Sequence, residues 1–315
     1  MDLHQRTLRI GLTVILLAAV FRLCSLPVES PREVFPGETE YTQQETGQDV
    51  RFPSSLGNYL PEFVESPPPG RQEEQLPYIP DDSSVAVQNL SDLRPDLDAL
   101  LRKPLQWDLN QVGPTVLILH SHATESYTQG AESYRQEGAY RTLEEDYNML
   151  SIGDAVAELL VARGISVVHD RTLHDYPSYN DAYSHARKTI KAYLERYPGI
   201  RLVLDLHRDA AEGASGQMRT LAAEAGCAQL MVVIGSNHAG FEENLSLGLK
   251  LQNRLEQQSP GITRPLQLRS QRFNQDLLPG MLLVEVGAAG NTRQEALAAA
   301  RHLARAVIAL EQGVA

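Results

Sequence analysis

Two histidines and a glutamate follow a short apolar run in the segment Val116-Leu-Ile-Leu-His-Ser-His-Ala-Thr-Glu-Ser-Tyr127. A short apolar run between a Gly-Pro pair and polar residues is typical of a buried strand in a parallel sheet. Reactive side chains in such sheets collect beyond the carboxyl ends of the strands, where His120, His122 and Glu125 fall. Because side chains alternate along an extended chain, we expect both histidines to point to one side and to share a metal ion, with Glu125 as an oxygen ligand.

A second apolar run ends in a histidine, in Arg201-Leu-Val-Leu-Asp-Leu-His-Arg-Asp-Ala210. An isolated His-x-His is more often a hydrogen-bonded structural feature than a metal site, so this second strand end matters. Parallel strands meet at one edge, and His207 is therefore expected beside the first two histidines. The alternative is an ordinary solvated strand end. The charged neighbours are expected to orient a ligating imidazole or to contact substrate; they are Asp205, Arg208 and Asp209.

The last apolar run, Met281-Leu-Leu-Val-Glu-Val-Gly287, contains a glutamate. A buried carboxylate is costly unless it meets a cation or does chemistry. Glu285 is therefore the predicted general base or acid beside the metal, with a structural salt bridge as the alternative. Asn274 and Gln275, in the polar loop before this run, offer amide groups suited to a peptide or sugar, although such residues also serve turns.

Composition divides the chain of 315 residues into two unequal parts. Thirteen of the 18 prolines lie at or before Pro114, so residues 112–315 are predicted to form one catalytic domain. The net charge of −12 argues against a nucleic-acid partner, whose phosphates would be repelled. The two cysteines, Cys24 and Cys227, do not suggest a disulfide framework, and Cys227 is expected to be a small core residue.

The N-terminal residues 1–28 are predicted to be a membrane anchor. Residues 10–21 are apolar apart from Thr13 and follow Arg6 and Arg9. The run is shorter than the roughly 20 residues that a span needs, unless it extends to Val28, so a signal peptide is the alternative. No small-x-small cleavage site follows the run. We therefore expect an uncleaved single-pass anchor in the cell membrane, with the N-terminus cytoplasmic and the catalytic domain outside.

Residues 29–111 are rich in Pro, Glu, Gln and Ser and are predicted to form an extended, disordered tether. Within it, residues 92–102 are interpreted either as a short helix that packs on the domain or as a nascent helix in the linker. The polar residues 128–145 show no clear period and are predicted to be a flap beside the site.

The remaining elements alternate between apolar strands and amphipathic helices. This order predicts an α/β fold with a mostly parallel twisted sheet and helices on both faces. Asn291, with Gln294 three residues later, is the predicted N-cap of the last helix. The expected helices cover residues 148–163, 181–197, 242–257 and 292–310, and further strands cover residues 165–168, 229–235 and 264–269.

Four sequence blocks, together with the anchor and tether, resemble the stage II sporulation protein P family from about Pro114 onward. The blocks are Leu-His-Ser-His-Ala-Thr-Glu-Ser-Tyr, Asp-Leu-His-Arg-Asp-Ala, Phe-Asn-Gln-Asp-Leu-Leu-Pro-Gly and Leu-Val-Glu-Val-Gly-Ala-Ala-Gly-Asn-Thr. Members of that family are peptidoglycan hydrolases of endospore-forming bacteria, with a fold similar to that of zinc-dependent N-acetylmuramoyl-L-alanine amidases. Ser121 and Phe273 stand where many relatives are expected to have Thr and Tyr.

The resemblance implies a specific assignment of the site. His122 and His207 look like the two Zn²⁺ ligands, and Glu285 looks like the glutamate that activates water. Glu125 suits the sporulation family as the carboxylate ligand, whereas Glu145 lies where the amidases place theirs. His120 is interpreted as a ligand or as a supporting residue.

The implied function is a membrane-anchored hydrolase that cleaves the amide between N-acetylmuramic acid and L-alanine during engulfment, with a possible second cut in the stem peptide. Stage II sporulation proteins D and M are the implied partners. Two other classes stay open. One is a zinc carboxypeptidase or deacetylase acting on cell wall, and the other is a non-catalytic wall-binding scaffold.

Overall fold

An eight-stranded sheet forms the centre of the fold in a computed structural model of the chain. The structure describes residues 38–41, 85–105, 107–128, 140–210, 212–213 and 216–313. Two further short strands form a separate hairpin. In chain order the ten strands are β1 (Glu38–Tyr41), β2 (Val87–Leu90), β3 (Val116–Leu119), β4 (Val167–Asp170), β5 (Leu202–Asp209), β6 (Glu212–Gly213), β7 (Gly216–Gln217), β8 (Leu230–Gly235), β9 (Leu266–Arg269) and β10 (Met281–Ala288).

The sheet is mixed, with the strand order β1-β4-β3-β5-β10-β8-β9-β2. The central strands β4, β3, β5 and β10 run parallel to one another. Strand β8 pairs antiparallel with β10, and β9 and β2 continue in the direction of β8. The predicted α/β sheet is confirmed, but both edges run opposite to its parallel centre, because β1 also pairs antiparallel with β4. The chain between β5 and β8 holds a hairpin, whereas a β8 parallel to β5 would need a crossover connection such as a helix.

Helices cover both faces of this sheet, as the sequence predicts. The five helices are α1 (Leu97–Arg102), α2 (Met149–Val161), α3 (Ala182–Arg196), α4 (Phe241–Gln258) and α5 (Arg293–Glu311). Helices α2, α4 and α5 pack over the larger apolar cluster, and α3 packs over a smaller cluster on the other face. On that second face, Met231, Val233 and Leu283 are covered by the Phe273 ring.

Helix α5 begins one residue later than predicted. Its N-cap is Thr292, whose Oγ1 accepts a hydrogen bond from Glu295 N at 3.3 Å while the Glu295 carboxylate accepts one from Thr292 N at 3.0 Å. This reciprocal capping box satisfies two backbone donors, which Asn291 paired with Gln294 does not do. Asn291 is buried and binds backbone instead, accepting hydrogen bonds from Ala288 N and Thr220 N.

The folded unit includes residues that the sequence interpretation assigned to the tether. Strand β2 pairs with β9 along the edge of the sheet, and α1 packs on α4. Leu100 and Leu101 are buried in this contact. Lys250 Nζ donates hydrogen bonds to both of their carbonyl oxygens, at 2.9 and 2.8 Å. Residues 85–105 therefore pack on the domain upstream of the expected boundary at residue 112, and the packed-helix interpretation of residues 92–102 is confirmed.

Two sequence predictions fall outside the described residues. The predicted anchor at residues 1–28 is one, and residues 129–139 of the predicted flap are the other. Among the helices that the structure does describe, none combines the length and apolarity needed to cross a bilayer. Cys227 is buried with a free thiol, as expected of a core residue.

Candidate active site

The carboxyl ends of β5 and β10 bring a histidine and a glutamate side by side. In the parallel register of these strands, His207 lies opposite Glu285. The loop after β3 adds Glu125, whose Oε2 lies 3.6 Å from His207 Nδ1. Three of the predicted site residues thus meet at one edge of the sheet, on the face that α3 partly covers.

His207 is held between two carboxylates. Its Nε2 donates to Asp205 Oδ1 at 3.0 Å, and Nδ1 faces Glu125. Asp205 is fully buried and also accepts hydrogen bonds from Ser121 N at 2.7 Å and Ser121 Oγ at 2.6 Å. Burial disfavours the imidazolium, but Asp205 and Glu125 outweigh it and raise the pKa of His207 well above its usual value. Asp205 therefore orients the imidazole, as predicted, and leaves Nδ1 toward the site.

Arg208 holds Glu125 in its ionised form. The Arg208 backbone N–H donates to Glu125 Oε2 at 3.2 Å, and the guanidinium lies 3.7 Å from Oε1. Burial alone would raise the pKa of Glu125, but Arg208 and His207 together bring that pKa to about 2. Arg208 also donates to the carbonyl oxygens of Ser126 and Tyr140. Its contacts are internal, so Arg208 supports the carboxylate and the loop around it.

His122 reaches the site from a turn and not from the strand. Its ring stacks on Tyr179 at a centroid distance of 4.4 Å and lies 5.3 Å from the His207 ring. His122 Nδ1 is buried and has no hydrogen-bond partner among the described residues; the nearest carboxylate oxygen, of Asp175, is 4.0 Å away. Burial lowers the pKa of His122 and so favours its neutral imidazole form. A neutral imidazole can offer a nitrogen lone pair to a metal ion.

Aromatic residues around His122 were missed by the sequence interpretation. Tyr179 lies in the segment between β4 and α3, and Tyr183 lies in the first turn of α3. The Tyr183 ring contacts the rings of both His122 and His207. Arg141 lies over the Tyr179 ring, with Cζ 3.7 Å from its centroid. The signal was present in the sequence, because a run rich in His, Asp and Tyr follows the carboxyl end of β4.

Glu285 has a carboxylate oxygen that bonds to nothing in the described part of the chain. Its Oε2 atom is shielded from solvent without a hydrogen-bond partner. Burial raises the pKa of Glu285 to about 8, with His207 opposing and Glu125 reinforcing the shift. A carboxyl group with an unpartnered oxygen and a raised pKa beside His207 suits a proton-transferring residue.

His120 does not join this group. It is fully buried under α2, where Nδ1 contacts Leu206 O at 3.0 Å and Nε2 contacts His169 Nε2 at 2.9 Å. Burial and the neighbouring His169 lower the pKa of His120 to about 3. The expectation that His120 and His122 share one side is wrong, because β3 ends at Leu119 and the chain turns between the two residues.

The remaining predicted residues are engaged elsewhere. The Glu145 carboxylate is exposed and pairs with Arg171 at 2.6 Å, so Glu125 and not Glu145 lies beside His207. Asp209 pairs with Arg264 at 2.7 Å and does not contact an imidazole. Two predicted substrate amides are used internally. Asn274 Nδ2 donates to Tyr183 O, and the Gln275 amide binds Gly235 N and Val233 O.

The donor types suit a zinc ion, although the side chains are not arranged as a ready-made cluster. Across the described residues, no group of three or more His, Cys, Asp or Glu side chains has metal-binding geometry. Two imidazoles and one carboxylate are nevertheless a common ligand set for catalytic zinc. The buried, unpartnered Nδ1 of His122 and the Asp205-oriented ring of His207 match the needs of such ligands, so the residues present fit the ion.

This chain is similar to one curated protein and to several solved structures. Stage II sporulation protein P of Bacillus subtilis (strain 168) is 24% identical over 285 residues, which cover 86% of this chain and 67% of that protein. Solved amidase structures with low identity are also similar. The amidase AmiC2 of Nostoc punctiforme is 15% identical, covers 64% of this chain and 98% of its own, and has a TM-score of 0.38. The CwlD amidase of Clostridioides difficile, solved with the GerS lipoprotein, is 14% identical, covers 64% and 100%, and has a TM-score of 0.42.

The sequence model of the family described as Stage II sporulation protein P matches residues 35–308, which include both sides of the sheet and every residue of the site. The chain belongs to the stage II sporulation protein P family.

Proposed function

We propose that this chain is a zinc-dependent peptidoglycan hydrolase that cleaves the amide between N-acetylmuramic acid and L-alanine during engulfment in endospore formation. Family membership supports the role in sporulation. The single observation that carries the chemistry is Glu285, whose unpaired Oε2 is shielded from solvent one strand away from His207. Shielding a carboxylate oxygen from water without a hydrogen bond destabilises the fold, and a non-catalytic wall-binding scaffold does not require such a group.

In this proposal His122, His207 and Glu125 would hold a zinc ion. Zinc bound there would supply Lewis acidity, which lowers the pKa of water and polarises a carbonyl group. Asp205 fixes the His207 ring through Nε2, so that Nδ1 is the nitrogen presented to the site. Arg208 keeps the Glu125 carboxylate ionised.

Glu285 moves the proton. Its carboxylate accepts a proton from the attacking water and returns it to the nitrogen of the departing L-alanine. Burial raises the pKa of Glu285 to about 8, so the ionised group binds a proton more tightly than an exposed glutamate does and, once protonated, can give it to a more basic amine. Tyr179 stacks on His122 and Tyr183 contacts both imidazoles, so these rings limit water access on the α3 side.

The cellular setting is part of the same proposal. Residues 1–28 anchor the chain in the cell membrane and place the domain on the extracytoplasmic side. Stage II sporulation proteins D and M are the proposed partners. A second, endopeptidase cut in the stem peptide is proposed on the family resemblance.

The test is to incubate the 315-residue chain with purified peptidoglycan, with and without a chelator, and to identify the released ends by mass spectrometry. We expect chelator-sensitive release of stem peptides that begin with L-alanine. Cleavage of peptide bonds alone would favour a carboxypeptidase or endopeptidase, and release of acetate would favour a deacetylase. Binding of peptidoglycan without cleavage would favour a non-catalytic wall-binding scaffold.

A matched pair of variants identifies the carboxylate ligand in the same assay. Glu125→Gln should lose bound zinc and activity together, because Glu125 lies beside His207. Glu145→Gln should keep both, because its exposed carboxylate pairs with Arg171. Zinc content measured by elemental analysis separates a lost ligand from a lost base.

A further inference from the structure

A cavity of about 270 Å³ opens beside the candidate site. It lies between α3 and the loop that precedes β10, on the face of the sheet that carries His207 and Glu285. No role is assigned to it above. Its lining residues are Tyr183, Arg187, Gln271, Arg272, Phe273 and Asn274.

The cavity and the candidate site share a wall. The Tyr183 ring lies 5.4 Å from the ring of His122 and stacks at 6.3 Å on the ring of His207. Phe273 lies 5.9 Å from Tyr183, and it covers the apolar part of β8 and β10 next to Glu285. A substrate group bound in the cavity is therefore one aromatic side chain away from the scissile bond.

The loop that forms the other wall is held in an unusual backbone conformation. Phe273 and Asn274 are consecutive non-glycine residues with φ values of 51° and 57°. Left-handed conformations are strained for residues with a side chain and persist where the surroundings enforce them, often at ligand-binding sites. Here the Gln275 side chain ties the loop to Gly235 N and Val233 O. The strained loop places the Phe273 ring against the sheet and the backbone of Arg272 at the rim before any ligand arrives.

The cavity is positively charged at its rim. Arg187 makes a bidentate ion pair with Asp276, at 2.7 and 2.8 Å. Arg272 lies 3.9 Å from the same carboxylate, beyond hydrogen-bond distance, and its side chain is 53% exposed. Two guanidinium groups thus share one carboxylate, so one positive charge is not neutralised. The N–H donors of the Arg272 guanidinium can therefore bind a ligand. Arg187, Arg272 and Asp276 together carry one net positive charge at this rim, which favours an anion.

We propose that this cavity binds a free carboxylate of the peptide on the leaving side of the scissile amide, with Arg272 as the residue that selects acidic over amidated peptides. The inference rests on the proposed function for its substrate. The aromatic walls pack against the peptide backbone, and the Arg272 guanidinium donates to the carboxylate oxygens. Arg187 positions Asp276 and the loop and is not free to do the same.

The experiment compares two muramoyl peptides that differ only in whether the second peptide residue is glutamate or its carboxamide. The zinc-loaded 315-residue chain should favour the carboxylate substrate in kcat/KM by about 5-fold to 10-fold at low salt. Arg272→Gln should reduce that ratio to about 1, through KM and not kcat, and Arg272→Lys should restore part of it. The preference of the unaltered chain should also shrink in high salt. Arg305→Gln, an exposed arginine of α5, is the matched control and should keep the full ratio.

A second measurement separates failure of this inference from failure of the proposed function. The free acidic stem peptide is titrated into the unaltered chain and into Arg272→Gln by calorimetry. If the peptide binds more weakly to Arg272→Gln than to the unaltered chain, the carboxylate site in the cavity is supported even when neither substrate is hydrolysed. In that case only the proposed hydrolytic function is contradicted. Hydrolysis with an unchanged ratio in Arg272→Gln, or equal peptide affinity for both chains, overturns the carboxylate site.

Discussion

Two carboxylates near His207 have pKa values that their surroundings move in opposite directions. Burial raises both, but Arg208 and His207 outweigh it at Glu125 and bring that pKa to about 2. At Glu285 burial prevails, and the pKa rises to about 8. Environments that separate two carboxylates in this way usually give them different roles. Glu125 suits a permanently ionised ligand, and Glu285 suits a group that gains and loses a proton.

Replacing Glu285 with glutamine tests this division of roles. The amide keeps the size of the side chain but cannot accept a proton, so kcat should fall by about 10²-fold to 10⁴-fold. Zinc content and thermal stability should stay close to those of the unaltered chain, because Glu285 Oε2 makes no hydrogen bond within the described residues. Turnover of purified peptidoglycan and elemental analysis give the two readouts.

The matched control is Glu242→Gln, at an exposed position in the first turn of α4, which should leave turnover unchanged. Full turnover by Glu285→Gln would contradict the assignment of Glu285 as the base. Loss of zinc from the same variant would instead make Glu285 a ligand.

Sequence reasoning placed some site residues and misplaced others for a physical reason. His207 and Glu285 lie inside long apolar runs, where strand alternation and the parallel edge determine their position. His120 lies where the strand gives way to a turn, and alternation no longer predicts the direction of the next side chain. The choice between Glu125 and Glu145 depended on the path of a loop, which no periodicity encodes.

At the scale of elements, α2 approaches the sheet closely at one glycine. A Cβ atom on Gly153 would lie 2.6 Å from His120 Nε2 and closer still to the His169 ring. These two histidines contact each other, and His169 Nδ1 also contacts Asp154 of α2 at 3.0 Å. Gly153 therefore lets the helix cover a buried polar pair directly behind the loop that carries His122.

Gly153→Ala should lower the free energy of unfolding by about 2 kcal/mol, since overpacking a rigid contact costs more than the higher helix propensity of alanine returns. Urea denaturation gives the value. Gly248→Ala in α4 is the matched control. There a Cβ meets only side-chain methyl groups of Ile234, Leu266 and Val232 at 3.2 Å, and the cost should be smaller. A Gly153→Ala chain as stable as the unaltered one would mean that α2 can move away from the sheet.

The existence and type of the main elements followed well from the sequence, whereas one helix cap and the direction of one strand did not. The periodicity of α3 and α4 predicted their bounds to within one residue at each end. The cap of α5 was placed one residue early because Asn291 and Thr292 are both good capping residues, and only Glu295 three residues after Thr292 decides between them. The direction of β8 depends on how the chain returns after the β6–β7 hairpin, which an apolar run does not specify.

At the scale of the whole molecule, the start of the folded unit was predicted too late. A proline-rich composition predicts chain that cannot form a core by itself. It does not show that a short apolar stretch within that chain packs on a core made by other residues. Leu100 and Leu101 form such a stretch, and Ser246 Oγ of α4 donates to the Leu100 carbonyl at 2.7 Å.

A comparison of two truncated chains tests this boundary. A chain that starts at residue 85 keeps β2 and α1, whereas one that starts at residue 112 leaves the β9 edge unpaired and exposes the face of α4 that Leu100 and Leu101 cover. Burial of two leucines is worth about 3 kcal/mol, which should lower Tm by about 6–12 °C in a domain of this size. Within the longer chain, Leu101→Ala should reproduce much of the loss, while Leu93→Ala, at an exposed position, should not. Equal melting temperatures for the two truncated chains would show that α1 rests on the domain without stabilising it, and the boundary at residue 112 would then stand.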